Sequence, residues 1–331
     1  MSLSEDNERL SLTVRADDVY RQYAQDQDSR KLFDQATQWL SAINEGGQDT
    51  SRQNIIDKEV HEAIIRAIFG SNMIERAGLN LDITIQLCRK ILDGESLEIG
   101  DRDGACDDAV VELYRRQHPD LRDKSAQYII RGRNEIVQHA RAYQHMIHAF
   151  VVEKRDLSED LIKETHRILA TGVPIVSRDH PDVPPEMYGG IYRSVIVGAG
   201  STNFTVPKFI PLKMRQMCES LKQDLAAAEE KKSIDPFSIA SKYSLQFVEI
   251  HPFQDGNGRM CRIILNAILC RFAGVIVPIG EREEERCEYL DIKKRASRDM
   301  EGHGEYATFV LRRVATRLRQ MKKKLTGKSN A

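Results

Sequence analysis

Apolar residues recur three and four positions apart along most of this chain, the period of helices that bury one face. The pattern is clearest over residues 54–69, 81–92, 125–153 and 158–172, and again over 211–230, 235–250 and 305–325. Ser158 followed by Glu159 and Asp160 has the composition of a capped, acidic first turn. About nine or ten helices are expected, which makes the fold all-α.

Two stretches break the helical period. Residues 94–108 (GESLEIGDRDGACDD) are polar and glycine-bearing, and read as a loop after an N-terminal helical part. Residues 173–209 hold half of the prolines and several glycines. Within them IYRSVIVG (191–198) alternates and is β-branched, so a short hairpin with the following residues is expected. The organisation that results is an N-terminal helical region over 1–125, a core over 126–320 and a basic tail over 321–331.

Composition narrows the picture by exclusion. Lys and Arg total 49 against 50 for Asp and Glu, so the whole chain offers no net attraction to nucleic acid or an anionic membrane. The last twenty residues, from Arg312 on, carry eight cations and no acid. A solvated helix face with a frayed end is the simpler account of them, ahead of a nucleic-acid or localisation patch. Six cysteines without a CxxC pair or zinc spacing suggest buried thiols in a reducing, intracellular setting. The acidic, polar start reads as neither signal nor transit peptide, and the most apolar stretch, 263–279, is interrupted and too short to span a bilayer. A soluble cytoplasmic protein is expected, with the nucleus as the alternative.

Between two core-like runs stands HPFQDGNGRMCR, residues 251–262. A surface turn needs the Gly and Asn but not the rest. Gly256, Asn257 and Gly258 let the backbone take positive φ and approach a ligand closely. Helical period resumes at Arg259, so the loop delivers free N–H groups at a helix N-terminus, which is an anion site. Arg259 and Arg262 share one face of that first turn, where two guanidiniums are unfavourable unless an anion such as a di- or triphosphate lies between them. Asp255 would repel that phosphate unless a cation intervenes, which points to Mg²⁺ or Mn²⁺. His251 is placed to act as a general base. The group reads as a phosphoryl or nucleotidyl transfer site.

The stretch resembles the signature of Fic-domain proteins (the Fic/Doc family), HxFx(D/E)GNGRxxR, at every specified position: His251, Phe253, Asp255, Gly256, Asn257, Gly258, Arg259 and Arg262. The surrounding segments are similar too, from about residue 128 to 318. The resemblance implies an all-α fold with a β-hairpin flap over the site, here 191–204, including Tyr192, Arg193, Val195 and Val197. It implies His251 as base, Asp255 as metal ligand, the 256–258 loop as anion hole and Arg259 and Arg262 on the nucleotide phosphates. Tyr289 is similar to a family Tyr near the nucleotide base. The implied reaction moves AMP from ATP to a Ser, Thr or Tyr hydroxyl of a protein. Self-modification and a homodimer are both compatible with it.

A second motif, SNMIERAG, is similar to the family's inhibitory helix, (S/T)xxxE(G/N), in the N-terminal arrangement of its class II. Ser71 and Glu75 fit, and Arg76 departs from the pattern. Inhibition by Glu75 is thus expected, from a helix over about 54–76, through competition with a phosphate for Arg262. Ser244 also departs, standing where relatives often carry a His. The alternatives are the same fold with a different reaction (AMP removal, or transfer of another phosphate-containing group) and a binding protein without catalysis.

Overall fold

The computed structural model describes residues 12–21, 28–44, 50–97, 105–176, 181–199, 202–298 and 302–327. Among them are eleven α-helices. They are α1 (Ser29–Asn44), α2 (Thr50–Glu75), α3 (Leu81–Leu92), α4 (Ala105–Gln117), α5 (Ala126–Met146), α6 (Glu159–Ala170), α7 (Ile210–Lys231), α8 (Pro236–Ile250), α9 (Asn257–Ala273), α10 (Glu283–Arg298) and α11 (Gly304–Leu325). The chain is all-α. Its strands are two residues each: β1 (Thr13–Val14) pairs in parallel with β4 (Ser233–Ile234), and β2 (Gly198–Ala199) pairs antiparallel with β3 (Thr202–Asn203).

Helix α9 is the axis of the molecule. All of its residues except Gly258 and Arg271 are buried, as expected of a helix apolar on every side. It is packed by α8, α2 and α5. Polar side chains close the helix starts: Asn80 accepts from Ile83 N, Ser125 from Tyr128 N, Ser158 from Leu161 N, and Asp235 from Phe237 N and Ser238 N.

Several features were not foreseen in the sequence. Helix α1 was not expected, yet Phe33, Ala36 and Ile43 are buried from it and it packs on α11. Helix α2 starts at Thr50, a turn before the apolar period sets in, and carries SNMIE on to Glu75, in line with the helix expected over about 54–76. Helix α5 ends in a π-helical turn, Ile147–Val152, and α4 begins at Ala105, inside the stretch read as loop. The basic end is helical to Leu325, and four of its cations have acid partners. Arg312 bonds Glu288, Arg313 lies 2.9 Å from Glu285, and Arg317 and Lys324 converge on Glu59 of α2. Acids from α10 and α2, remote in sequence, thus neutralise these four cations, while Arg319 stays exposed to solvent. Of the cysteines among the described residues, Cys287 is exposed rather than buried. No described helix is long and apolar enough to cross a membrane.

Candidate active site

The α8–α9 junction turns on two left-handed residues, His251 (φ 51°) and Gly256 (φ 79°). His251 is an uncommon non-glycine in that region, and such outliers concentrate at functional sites. Its Nδ1 lies 3.1 Å from the Val248 carbonyl, which can only accept, so Nδ1 carries the proton and Nε2 is left bare. The ring stacks on Phe204 at 3.7 Å. Burial, aided by the Arg193 cation, pushes the imidazole down to about 4 against the pull of the Val248 bond, so it is neutral at pH 7.

The loop that follows is fixed from within and from outside. Asn257 closes it: Oδ1 accepts from Phe253 N at 2.9 Å and Nδ2 donates to Phe253 O at 2.8 Å. The Asn257 side chain thus shapes the turn, and what the loop offers a ligand is backbone N–H. Phe253 is fully buried and stacks face to face on His166, centroids 3.6 Å apart. His166 Nδ1 accepts from Gly190 N at 2.9 Å, so its Nε2 carries the proton and donates to Asp255 O, also at 2.9 Å. Sequence reasoning missed His166 because nothing local marks it; it is one His on an amphipathic helix, ninety residues before the loop it holds.

Asp255 accepts from Arg259 Nη2 at 3.2 Å. Burial alone would raise its carboxyl, but Arg259 and the Gly256 N–H outweigh that and hold it below the usual range. Arg259 is 5 % exposed, and its Nε and Nη1 have no partner among the described residues. Buried donors of this kind have capacity that an anion would satisfy. An ionised, 39 % exposed carboxylate next to such a guanidinium fits Mg²⁺, which is commonly held by one carboxylate with substrate phosphates and water completing its shell.

Arg262 is fully engaged. Nε donates to Ser71 Oγ at 2.8 Å, and Nη2 to Ser71 O at 3.1 Å and Glu75 Oε1 at 2.6 Å. Glu75 also presses on the first turn of α9: a Cβ built on Gly258 would lie 2.0 Å from Glu75 Oε1. A carboxylate thus lies over a helix N-terminus and on a buried arginine, the same two features that suit a phosphate. Helix α2 ends there in a Schellman turn, with Ala77 N bonded to Asn72 O, Arg76 N to Met73 O, and Arg76 itself at φ 55°. That is the position where Gly or Asn is at ease, which gives a physical reason for the pattern from which Arg76 departs.

Other site residues lie elsewhere than expected. Tyr289 is 1 % exposed, its hydroxyl 3.5 Å from Arg262 Nη1, so it backs the guanidinium and presents no ring to a nucleotide base. Tyr192 and Arg193 do not belong to the hairpin. Tyr192 donates to Glu159 at 2.7 Å. Arg193 is buried and donates to the carbonyls of His251 (2.6 Å), Val195 (2.9 Å) and Thr205 (2.6 Å), tying both ends of the flap to the base. A guanidinium can only reach three carbonyls by turning inward, which breaks the strand alternation. Val195 and Val197 precede the hairpin, whose strands are 198–199 and 202–203. Ser244 is buried with its hydroxyl on Ser241 O, within the core.

A model of the Fic/DOC family matches residues 156–269. A Fido domain-containing protein of Dictyostelium discoideum is 33 % identical over 107 residues, covering 32 % of this chain and 72 % of that protein. Protein adenylyltransferase fic-1 of Caenorhabditis elegans is 33 % identical over 122 residues (33 % of this chain, 24 % of the relative), and protein adenylyltransferase Fic of Nematostella vectensis 26 % over 177 (54 % and 36 %). This chain therefore spans about a quarter to a third of the length of those two enzymes. Among solved structures, residues 134–508 of Fic-1 from C. elegans share the fold with TM-score 0.63 at 19 % identity, covering 91 % of this chain and 74 % of that one. A Fic domain-containing signalling protein from Bacteroides thetaiotaomicron does so with TM-score 0.62 at 16 % identity (92 % and 99 %). The His251–Arg262 junction lies within the matched span, and the chain belongs to the Fic/DOC family.

Proposed function

We propose that this protein is a protein adenylyltransferase whose phosphate site is held closed by Glu75. The observation that carries the reading is the Glu75 carboxylate on Arg262 and against Gly258, beside a neutral His251. The names of the curated relatives support the same chemistry.

With Glu75 withdrawn, the backbone N–H groups at the start of α9, Arg259 and Arg262 receive the phosphates of ATP. The acceptor hydroxyl of a Ser, Thr or Tyr, presented along the β2–β3 hairpin, lies against His251. As that oxygen bonds to the α-phosphorus, its proton passes to His251 Nε2, and the bond from the α-phosphorus to the bridging oxygen breaks, releasing pyrophosphate. Asp255 would hold a divalent cation, which supplies charge neutralisation of the phosphates when bound.

The test is mass spectrometry of the wild-type protein and Glu75→Gly after incubation with ATP and Mg²⁺, alone and with cell lysate. AMP adducts on hydroxyl side chains, enriched in Glu75→Gly, are expected. Adducts of another group, or none in either protein, would overturn the reading.

A further inference from the structure

The end of α2 is gripped from a second side, by a face of α5. Gly132, Glu135 and His139 lie at i, i+3 and i+7, one above the other on that face. A Cβ on Gly132 would stand 2.7 Å from Gly78 O, so only glycine admits the chain there. Glu135, itself held by Arg131 at 2.9 Å, accepts from Gly78 N at 2.6 Å. His139 is fully buried, and its Nδ1 donates to Asn72 Oδ1 at 2.8 Å.

Asn72 follows Ser71 in sequence and so points about 100° around the helix from it. Ser71 and Glu75, one turn apart, face Arg262, while Asn72 faces α5. The rotation of this last turn is therefore fixed by two buried contacts at different angles. Remove the Asn72 contact, and α5 no longer holds the helical turn that carries Ser71 and Glu75, keeping only its grip on Gly78 beyond the helix end.

We infer that His139 is a positioning residue for Glu75: its bond to Asn72 sets the rotation of α2 that delivers the carboxylate to Arg262, and thereby sets how firmly the phosphate site is closed. Burial leaves Asn72 no water to replace the lost donor, so the loss is felt in the geometry of α2. The inference rests on the proposed role of Glu75.

The test uses the full chain with His139→Leu, which removes the donor, His139→Asn, which offers an amide N–H near the place of Nδ1, and Asn72→Ala, which breaks the bond from the other side. Each is made in the wild type and in Glu75→Gly, with melting curves to confirm folding. Two readouts are taken: self-labelling from labelled ATP and ATP affinity by titration calorimetry. In the wild-type background, His139→Leu and Asn72→Ala should raise labelling about tenfold and tighten ATP binding, while His139→Asn stays near wild type. In Glu75→Gly none should add anything. Wild-type ATP affinity in both His139→Leu and Asn72→Ala overturns the inference, and so does a loss of labelling on adding His139→Leu to Glu75→Gly, which would make His139 a general support of the site. Absence of labelling in Glu75→Gly itself would count against the adenylyltransferase reading, and the affinities would still decide the role of His139.

Discussion

The ring of His251 is tuned by its surroundings into a base that is ready at neutral pH. Val248 O accepts a hydrogen bond from Nδ1, Phe204 covers one face of the ring and Arg193 donates to the His251 carbonyl. His251→Ala should lower AMP transfer about 10²–10⁴-fold. ATP affinity by calorimetry should stay near that of the parent, because the phosphates rest on other groups. Since the ring titrates at about 4, the acidic limb of the rate profile should fall near that pH rather than near 6.5. Arg76 offers the opposite kind of test. At φ 55° a non-glycine residue costs about 1 kcal/mol, so Arg76→Gly should stabilise the end of α2 by that much in thermal unfolding and deepen inhibition. The signature residues are legible in the sequence because the chemistry demands specific types in one contiguous stretch. His166, the inward bonding of Arg193 and the buried setting of Tyr289 are not, because each depends on contacts with a remote segment that leave no local mark.

Among elements, α2 and the flap matter most, and the sequence foretells them unevenly. Helix α2 runs on to Glu75, as the helix expected over about 54–76 does, although its apolar period falters at Gly70-Ser71-Asn72. Tertiary packing overrides it: Gly70 lets α2 close on the Ile279 carbonyl, and Ser71 and Asn72 find buried partners. The flap is shorter than its β-branched composition suggests, since Arg193 spends its donors on three carbonyls instead of extending a strand. Arg193→Met should free both flanks of the hairpin from His251. We expect transfer by Glu75→Gly to fall about tenfold or more when this change is added, from lost positioning of the acceptor, with ATP affinity little changed. An equal loss of ATP affinity, measured by titration, would show that Arg193 maintains the phosphate site instead.

At the scale of the whole molecule, the N-terminal helices and the signature helix share one hydrophobic core, with Phe33, Ile64 and Ile68 in the same cluster as α9. The helical class is legible from period alone. The pairing of the basic end with Glu59, Glu285 and Glu288 is not, because charge partners on different helices leave no pattern along the chain. Several histidines are buried neutral: His166 and His251 titrate at about 4, and His139 well below its ordinary value, burial being the main cause in each. Their folded values lie below the unfolded 6.5, so between about pH 4 and 6.5 the unfolded chain binds more protons and stability rises with pH. Asp235, raised to about 6 by burial, acts in the other direction as a single group. Denaturant unfolding should therefore show a lower midpoint at pH 5 than at pH 7, and an unchanged or higher one would contradict the buried neutral state.

The central claim is that Glu75 closes a phosphate site served by His251. Incorporation of radiolabel from α-labelled ATP into the protein itself tests it most directly, compared across wild type, Glu75→Gly, and Glu75→Gly with His251→Ala. Little label in the wild type, strong label in Glu75→Gly and its loss in the double variant are predicted. Equal labelling of wild type and Glu75→Gly, or label that survives removal of His251, would contradict the account.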